Sequence, residues 1–242
     1  MLKFMEHKKI SIIIPIYNEA RTLRDLISAV ENINLPVEKE VVLIDDYSND
    51  GSRELLKSYT DKHKVIFRSE NNGKGMAVRE GFKEASGDIV LIQDADLEYS
   101  PHDYPRLIEP IISGKADVVY GSRFLGSEIS KNNKFIYKRG LLFSKFLNFM
   151  SNAFNGLKIS DMYTCYKVFT AESVRQINPR LRSRRFGIDP ELTAWTAKLK
   201  LRVAEVPISY SGRTYEEGKK INWKDGLAAI FHIIRFNIFT HK

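Results

Sequence analysis

Hydrophobic and polar positions divide the chain into alternating elements. Ile10-Ser11-Ile12-Ile13-Ile14 is a β-branched run closed by Pro15, which predicts a buried strand. Leu23, Leu26, Ile27 and Val30 then recur at helical spacing and predict a helix from about Arg21 to Asn32. A second strand, Glu40 to Ile44, runs into Asp45-Asp46-Tyr47-Ser48-Asn49-Asp50-Gly51, followed by a helix to about Tyr59 and a third strand, Val65 to Phe67. Asn71-Asn72-Gly73-Lys74-Gly75 reads as a loop opening onto a helix that carries Met76, Val78 and Phe82. A fourth strand, Ile89 to Ile92, ends in acids, and a fifth, Asp117 to Tyr120, ends in Gly121-Ser122-Arg123. Strand and helix alternate, which predicts a parallel sheet with right-handed crossovers and an α/β fold of the nucleotide-binding type up to about residue 125.

The second half changes character. Gly126 to Lys138 sets Lys131, Lys134 and Lys138 against a single acid, Glu128, and reads as a mobile loop. Gly140 to Leu157 predicts a helix rich in Leu, Phe and Met, and Trp223 to Phe239 repeats the composition. Two readings fit such stripes: packing on the core, or lying in a membrane interface, where Trp, Phe and Leu stand beside Lys and Arg. The expected organisation is one domain over 1–222, with a nucleotide-binding half (9–125) and an acceptor half (126–222), then an amphipathic helix over 223–242.

Charge narrows the partners. Across 242 residues, 38 Lys and Arg exceed 30 Asp and Glu, for a net +8, so an anionic partner is expected. No nucleic-acid-reading motif is present and the basic residues are interleaved with acids, which argues against nucleic acid. The single Cys165 excludes an internal disulfide framework and suits a reducing cytoplasm. Met1 to Lys9 lacks the apolar core of a secretion signal, and no run of about 18 apolar residues is available to span a membrane.

The candidate chemistry starts at the fourth strand. Alternate side chains of an extended chain point the same way, so Asp94, Asp96 and Glu98 can converge. Such oxygen ligands suit Mg²⁺ or Mn²⁺ alongside substrate phosphates, at the strand ends where open α/β sheets bind ligands. A solvated turn is the competing reading. Asp45 and Asp46 either bind ribose hydroxyls or base donors, or cap the helix near Gly51. Lys74 either neutralises phosphate or belongs to a simple turn. Neither the P-loop nor the dinucleotide-binding fingerprint occurs.

Pro15-x-Tyr17-Asn18-Glu19, Asp45-Asp46-x-Ser48-x-Asp50-Gly51, Asn72-Gly73-Lys74-Gly75, Asp94-Ala95-Asp96 and Gly121-Ser122-Arg123 occur in that order. This ordered set resembles the family 2 glycosyltransferases of the GT-A fold, and within them the polyprenyl-phosphate glycosyltransferases, over about residues 9–222. The resemblance implies that Pro15, Tyr17, Glu19, Asp45, Asp46, Lys74, Asp94 and Ala95 hold a nucleotide-sugar donor, and that Asp94 and Asp96 bind the metal. Glu98 stands where these enzymes usually carry Gln. Ser160-Asp161-Met162-Tyr163-Thr164-Cys165-Tyr166-Lys167 resembles a later family segment, with Cys165 replacing glycine. Val206-Pro207-Ile208-Ser209-Tyr210 with Arg213 and Lys219 resembles the element that clamps the donor diphosphate and closes over the site.

The acceptor can be argued from chemistry. A sugar or alcohol hydroxyl needs a general base, for which Asp161 and Glu191 are candidates. A lipid phosphate is already anionic and needs positioning and charge neutralisation. Arg123, Arg139 and Ser144 beside a Phe/Leu-rich helix suit the latter. The family pairs an arginine with a serine four residues on, but here Gly140 stands four before Ser144 and Arg139 five before it. The resulting expectation is a metal-dependent, inverting transfer from a nucleotide-diphosphate sugar to a polyprenyl phosphate, with Asp96, Arg123 and Asp161 as the reacting set. The enzyme would sit peripherally at the cytoplasmic face of a membrane, and a membrane-spanning partner protein remains open. A saccharide-hydroxyl acceptor is the alternative enzyme, and a non-catalytic membrane-surface adaptor the alternative class.

Overall fold

The computed structural model describes residues 8–126, 128–135, 138–214, 216–218 and 223–240, apart from the side chains of 138, 139 and 223–225. Seven strands form one sheet: β1 (Lys9–Ile16), β2 (Glu38–Asp45), β3 (Lys64–Phe67), β4 (Ile89–Ile92), β5 (Val118–Ser122), β6 (Lys167–Thr170) and β7 (Val203–Pro207). Their order is β3-β2-β1-β4-β6-β5-β7. The pairs β1–β2, β2–β3, β1–β4 and β5–β7 are parallel, while β6 runs antiparallel to both β4 and β5. The β-branched run reads as predicted because β1 is buried on both faces, as central strands of covered parallel sheets are.

The intervening helices are α1 (Leu23–Asn32), α2 (Ser52–Lys57), α3 (Lys74–Glu84) and α4 (Tyr104–Ile112). Helix α1 buries Leu23, Leu26, Ile27 and Val30, the predicted stripe. Helix α3 lies so close to β1 that a Cβ on Gly81 would stand 2.3 Å from Ile13 Cγ2. That approach draws α3 onto the sheet and sets the loop before it, Asn71–Gly73, over the carboxyl ends of β1 and β2.

The second half contributes α5 (Glu128–Lys131), α6 (Lys138–Asn155), α7 (Ala171–Ile177), α8 (Ile188–Lys198) and α9 (Trp223–Ile234). The loop expected over 126–138 contains the single helical turn α5, and Lys134 exchanges backbone hydrogen bonds with Tyr210 and Gly212. Strand β6 lies between β4 and β5, and because it is reversed, the residues preceding it arrive at the sheet edge where β4 and β5 end. This brings Ser160–Tyr166 to the ligand edge.

Each apolar helix packs one face on the core and leaves other apolar residues exposed. Leu147 of α6 and Ile233 of α9 are buried, whereas Leu142, Phe146 and Phe149 of α6 and Leu227 and Phe231 of α9 are exposed. No helix among the described residues is long and apolar enough to cross a membrane.

Candidate active site

The site is built where β1, β2 and β4 end. Beyond β1, Asn18 adopts a left-handed backbone (φ 52°), which asparagine tolerates. Its amide donates to Ser48 Oγ (3.0 Å), its Oδ1 accepts from the Asn49 amide (2.9 Å), and the Glu19 amide donates to Ser52 Oγ (2.9 Å). These bonds lock the Pro15–Glu19 segment, including Tyr17, to the loop after β2.

The two adjacent acids of β2 part company. Asp45 is buried; its Oδ1 accepts from the Ser48 amide (3.1 Å), and its Oδ2 makes no hydrogen bond, with Arg53 Nη1 at 3.4 Å. That orphaned oxygen is an acceptor a ribose hydroxyl can satisfy. Asp46 is instead committed to the protein: it accepts from Arg68 Nη1 (2.7 Å) and from the amides of Asn72 (3.1 Å) and Gly73 (2.7 Å). Its geometry makes it the anchor of the Asn71–Gly73 loop. Gly73 has φ 88°, and a Cβ there would lie 2.6 Å from Arg185 Cγ, so both the turn and its neighbour demand glycine.

The acids after β4 gather cations. Lys74 Nζ bonds Asp94 at 2.7 Å (Oδ1) and 2.9 Å (Oδ2). Burial alone would lower the Lys74 ammonium, but the Asp94 carboxylate overrides it and holds the lysine above its usual range. The Ala95 carbonyl accepts from Thr22 Oγ1 (2.7 Å), fixing the turn against the start of α1. Asp96 Oδ1 accepts from the Glu98 amide (3.1 Å), and Oδ2 lies 3.2 Å from Arg213 Nη2. Burial, then the charges of Asp94 and Glu98, push the Asp96 carboxyl up to about 7 against the pull of Arg213. Arg213 also bonds Glu19 through Nη1 (2.9 Å) and Nη2 (3.2 Å). Glu98 receives the Tyr210 hydroxyl (2.9 Å) and the Arg213 amide (2.9 Å), so it seats the Arg213 loop. Lys219 lies outside the described residues.

No group of three or more His, Cys, Asp or Glu closes into a metal cage among the described residues. Mg²⁺ and Mn²⁺ do not require one: one or two carboxylates suffice when substrate phosphates complete the shell. Asp94 and Asp96 supply such a pair, and the charges of Asp94 and Glu98 beside Asp96 make a site that a dication suits. The residues present fit the metal.

A second cluster forms where β5 ends. Arg123 Nε and Nη2 bond Asp161 at 2.7 and 2.8 Å, and the Arg123 amide bonds the same carboxylate at 3.1 Å. The guanidinium lies 5.1 Å from the Tyr210 ring centre and 5.3 Å from that of Phe124. Burial works against its charge, but Asp161 holds it well above the usual range. Asp161 is 1% exposed, so both of its oxygens serve Arg123. Glu191, the other candidate base, is fully buried and accepts from the amides of Arg182 and Ser183, each at 2.7 Å. Both of its oxygens fix the Arg182–Ser183 turn. Ser144 lies on α6, half-buried, and the side chain of Arg139 is outside the described residues.

Sequence reasoning missed Glu205 on β7. Its carboxylate accepts from the Ser160 amide (2.8 and 2.9 Å), Ser160 Oγ (3.0 Å) and the Asp161 amide (3.3 Å), holding the segment that holds Arg123. Ser122 Oγ and Ser160 Oγ, 2.6 Å apart, complete the brace. The one available signal was an acid inside an apolar strand, Val203-Ala204-Glu205-Val206. Cys165 is buried with Sγ 3.6 Å from the Ile92 carbonyl, and burial pushes its thiol up.

Comparison with known proteins places the family and the fold. The family described as glycosyl transferase family 2 matches residues 11–177, more than half of the chain. A dolichol-phosphate mannosyltransferase of Pyrococcus furiosus is 42% identical over 119 residues, covering 48% of this chain and 34% of its own, so the match spans about a third of that protein. A UDP-N-acetylglucosamine–dolichyl-phosphate N-acetylglucosaminyltransferase of Methanococcus voltae is 26% identical over 248 residues, covering 95% of this chain and 96% of its own. Among solved structures, glucosyl-3-phosphoglycerate synthase of Mycobacterium tuberculosis, with Mn²⁺, UDP and glucosyl-3-phosphoglycerate, superposes with a TM-score of 0.69 at 18% identity. It covers 95% of this chain and 80% of its own, and shares the GT-A fold.

Proposed function

Because this chain belongs to glycosyl transferase family 2, we propose that it moves a sugar from a nucleoside-diphosphate donor to a polyprenyl phosphate. The observation that carries the acceptor is that both candidate bases are engaged: Asp161 on Arg123, Glu191 on two backbone amides. A hydroxyl acceptor needs an open base, whereas a phosphate needs a held cation. The lipid-phosphate acceptors named for the relatives in Pyrococcus and Methanococcus support the same reading.

In this mechanism Pro15–Glu19 and Asp45 hold the nucleoside, and Asp46 keeps the Asn71–Gly73 loop closed around it. Asp94 and Asp96 would hold Mg²⁺ or Mn²⁺, which supplies positive charge against the leaving diphosphate. Lys74 and Arg213, now paired with the acids, are the cations that would turn onto the phosphate oxygens. Arg123, aimed by Asp161 and Glu205, positions the acceptor phosphate for a single displacement that inverts the anomeric carbon. The exposed Leu and Phe of α6 and α9 seat the enzyme peripherally on the cytoplasmic face of a membrane, where its acceptor lies.

The test incubates purified protein and Mn²⁺ or Mg²⁺ with radiolabelled nucleotide sugars, with and without a short polyprenyl phosphate. Label entering the organic phase only with the lipid phosphate supports the reading and names the donor. Transfer to a saccharide without lipid product overturns it.

A further inference from the structure

A cavity of about 460 Å³ opens between Asn133–Phe135 and α6, lined by Asn133, Phe135, Leu141, Leu142 and Lys145. That volume lies within the range ligands fill, and three of its five walls are apolar. Phe135 stacks on Phe124, with ring centres 5.6 Å apart. The Lys145 ammonium lies 5.4 Å from the Phe124 ring centre and the Arg123 guanidinium 5.3 Å from it. One ring therefore carries both cations, and Phe135, stacked on that ring, lines the cavity.

The charges of the two cations are not equivalent. Arg123 is matched by Asp161 in a two-pronged ion pair. A phosphate monoester carries about −1.5 to −2 charge at pH 7, which a pair of zero net charge cannot neutralise. Lys131 of the same region is matched by Glu128. Lys145 has no carboxylate or hydrogen-bond acceptor among the described residues, and its side chain is exposed at the cavity. It also lies one residue beyond Ser144, on the helix where Gly140 takes the place of the arginine expected by resemblance.

We infer that Lys145 binds the acceptor phosphate together with Arg123, and that the Phe135–Leu141–Leu142 cavity takes the isoprene units next to it. This rests on the polyprenyl-phosphate reading and adds the residue that balances the acceptor's charge. Arg123 orients the phosphate through a guanidinium locked in place. Lys145 supplies the unmatched charge from a flexible stem, and the apolar walls select a phosphate carried on a hydrocarbon chain over free phosphate.

The test uses the full chain and its Lys145→Met and Lys145→Arg variants, exposed substitutions that leave the core intact. With donor saturating, the KM for farnesyl phosphate should rise about tenfold or more in Lys145→Met, the scale of a lost charged hydrogen bond. Lys145→Arg should recover most of it, and the KM for donor should hold in both. Inorganic phosphate and farnesol should each compete far more weakly than a second prenyl phosphate. An unchanged KM in Lys145→Met, in a wild type that does glycosylate farnesyl phosphate, overturns the Lys145 assignment alone. Inorganic phosphate competing as well as a prenyl phosphate overturns the cavity assignment. A wild type that glycosylates no polyprenyl phosphate sinks the underlying reading instead.

Discussion

Replacing Asp161 by asparagine distinguishes a residue that holds Arg123 from one that acts as a base. In the pair, Asp161 has no exposed side-chain surface and Arg123 has 12%. Asparagine keeps the shape but offers one acceptor, and it turns an NH₂ toward a guanidinium that can only donate. Leaving a buried charge without its partner costs about 3–5 kcal/mol, a large share of the ~5–15 kcal/mol that holds a domain together. At about 2–4 °C per kcal/mol for a chain of this size, the melting temperature should fall by roughly 6 to 20 °C. Replacing both partners, as Arg123→Met with Asp161→Leu, removes the unpaired charge and should restore most of the lost stability while lipid transfer stays lost. Calorimetric melting of the wild type and both variants, read beside transfer assays below the lowest melting temperature, checks this. A wild-type melting temperature for Asp161→Asn, with catalysis abolished, would refute the argument and return Asp161 to the role of base.

Asp96→Asn should remove Mn²⁺ binding, read by spin resonance with the nucleotide present, and lower kcat/KM by about 100-fold or more, since metal charge stabilisation is worth several kcal/mol. Glu40 should tie stability to pH. Burial alone would raise its carboxyl, but hydrogen bonds from Ser11 and Ser86 and the charge of Lys9 hold it below the ordinary 4.5. A depressed carboxylate stabilises the fold above that value and ceases to as pH falls through the folded value. Melting temperature should therefore drop on acidification below about 4.5, and less so in Glu40→Gln. Phe149 is 71% exposed, so Phe149→Ser should shift the melting temperature by little while weakening sedimentation with phospholipid vesicles about tenfold, in line with ~1.5–3 kcal/mol for burying a large apolar side chain. Unaltered sedimentation would remove α6 from the membrane contact.

The sequence by itself determined the layout of the first half. Runs such as Ile10–Ile14 and Ile89–Ile92 are legible because a strand buried on both faces has no polar alternative, and the stripe Leu23, Leu26, Ile27, Val30 is legible because one helix face meets the core. With crossovers parallel, the acids after β2 and β4 had to share an edge. Strand β6 was not legible: it has four residues, includes a buried lysine, Lys167, and runs against its neighbours. Only closure of the sheet decides that direction.

The site divides in the same way. Asp94 and Asp96 announced themselves by alternation at a strand end, a local signal. What only the tertiary structure decided is partnership. Asp45 and Asp46 are adjacent, yet one keeps an open oxygen and the other ties down the Asn71–Gly73 loop. Arg213 meets Glu19 across 194 positions, and Glu205 reaches Ser160 across 45. Periodicity reports which faces are buried, because burial acts on each residue where it stands. A charged side chain's role depends on which opposite charge folding brings within about 3 Å, and no pattern along the chain carries that distance.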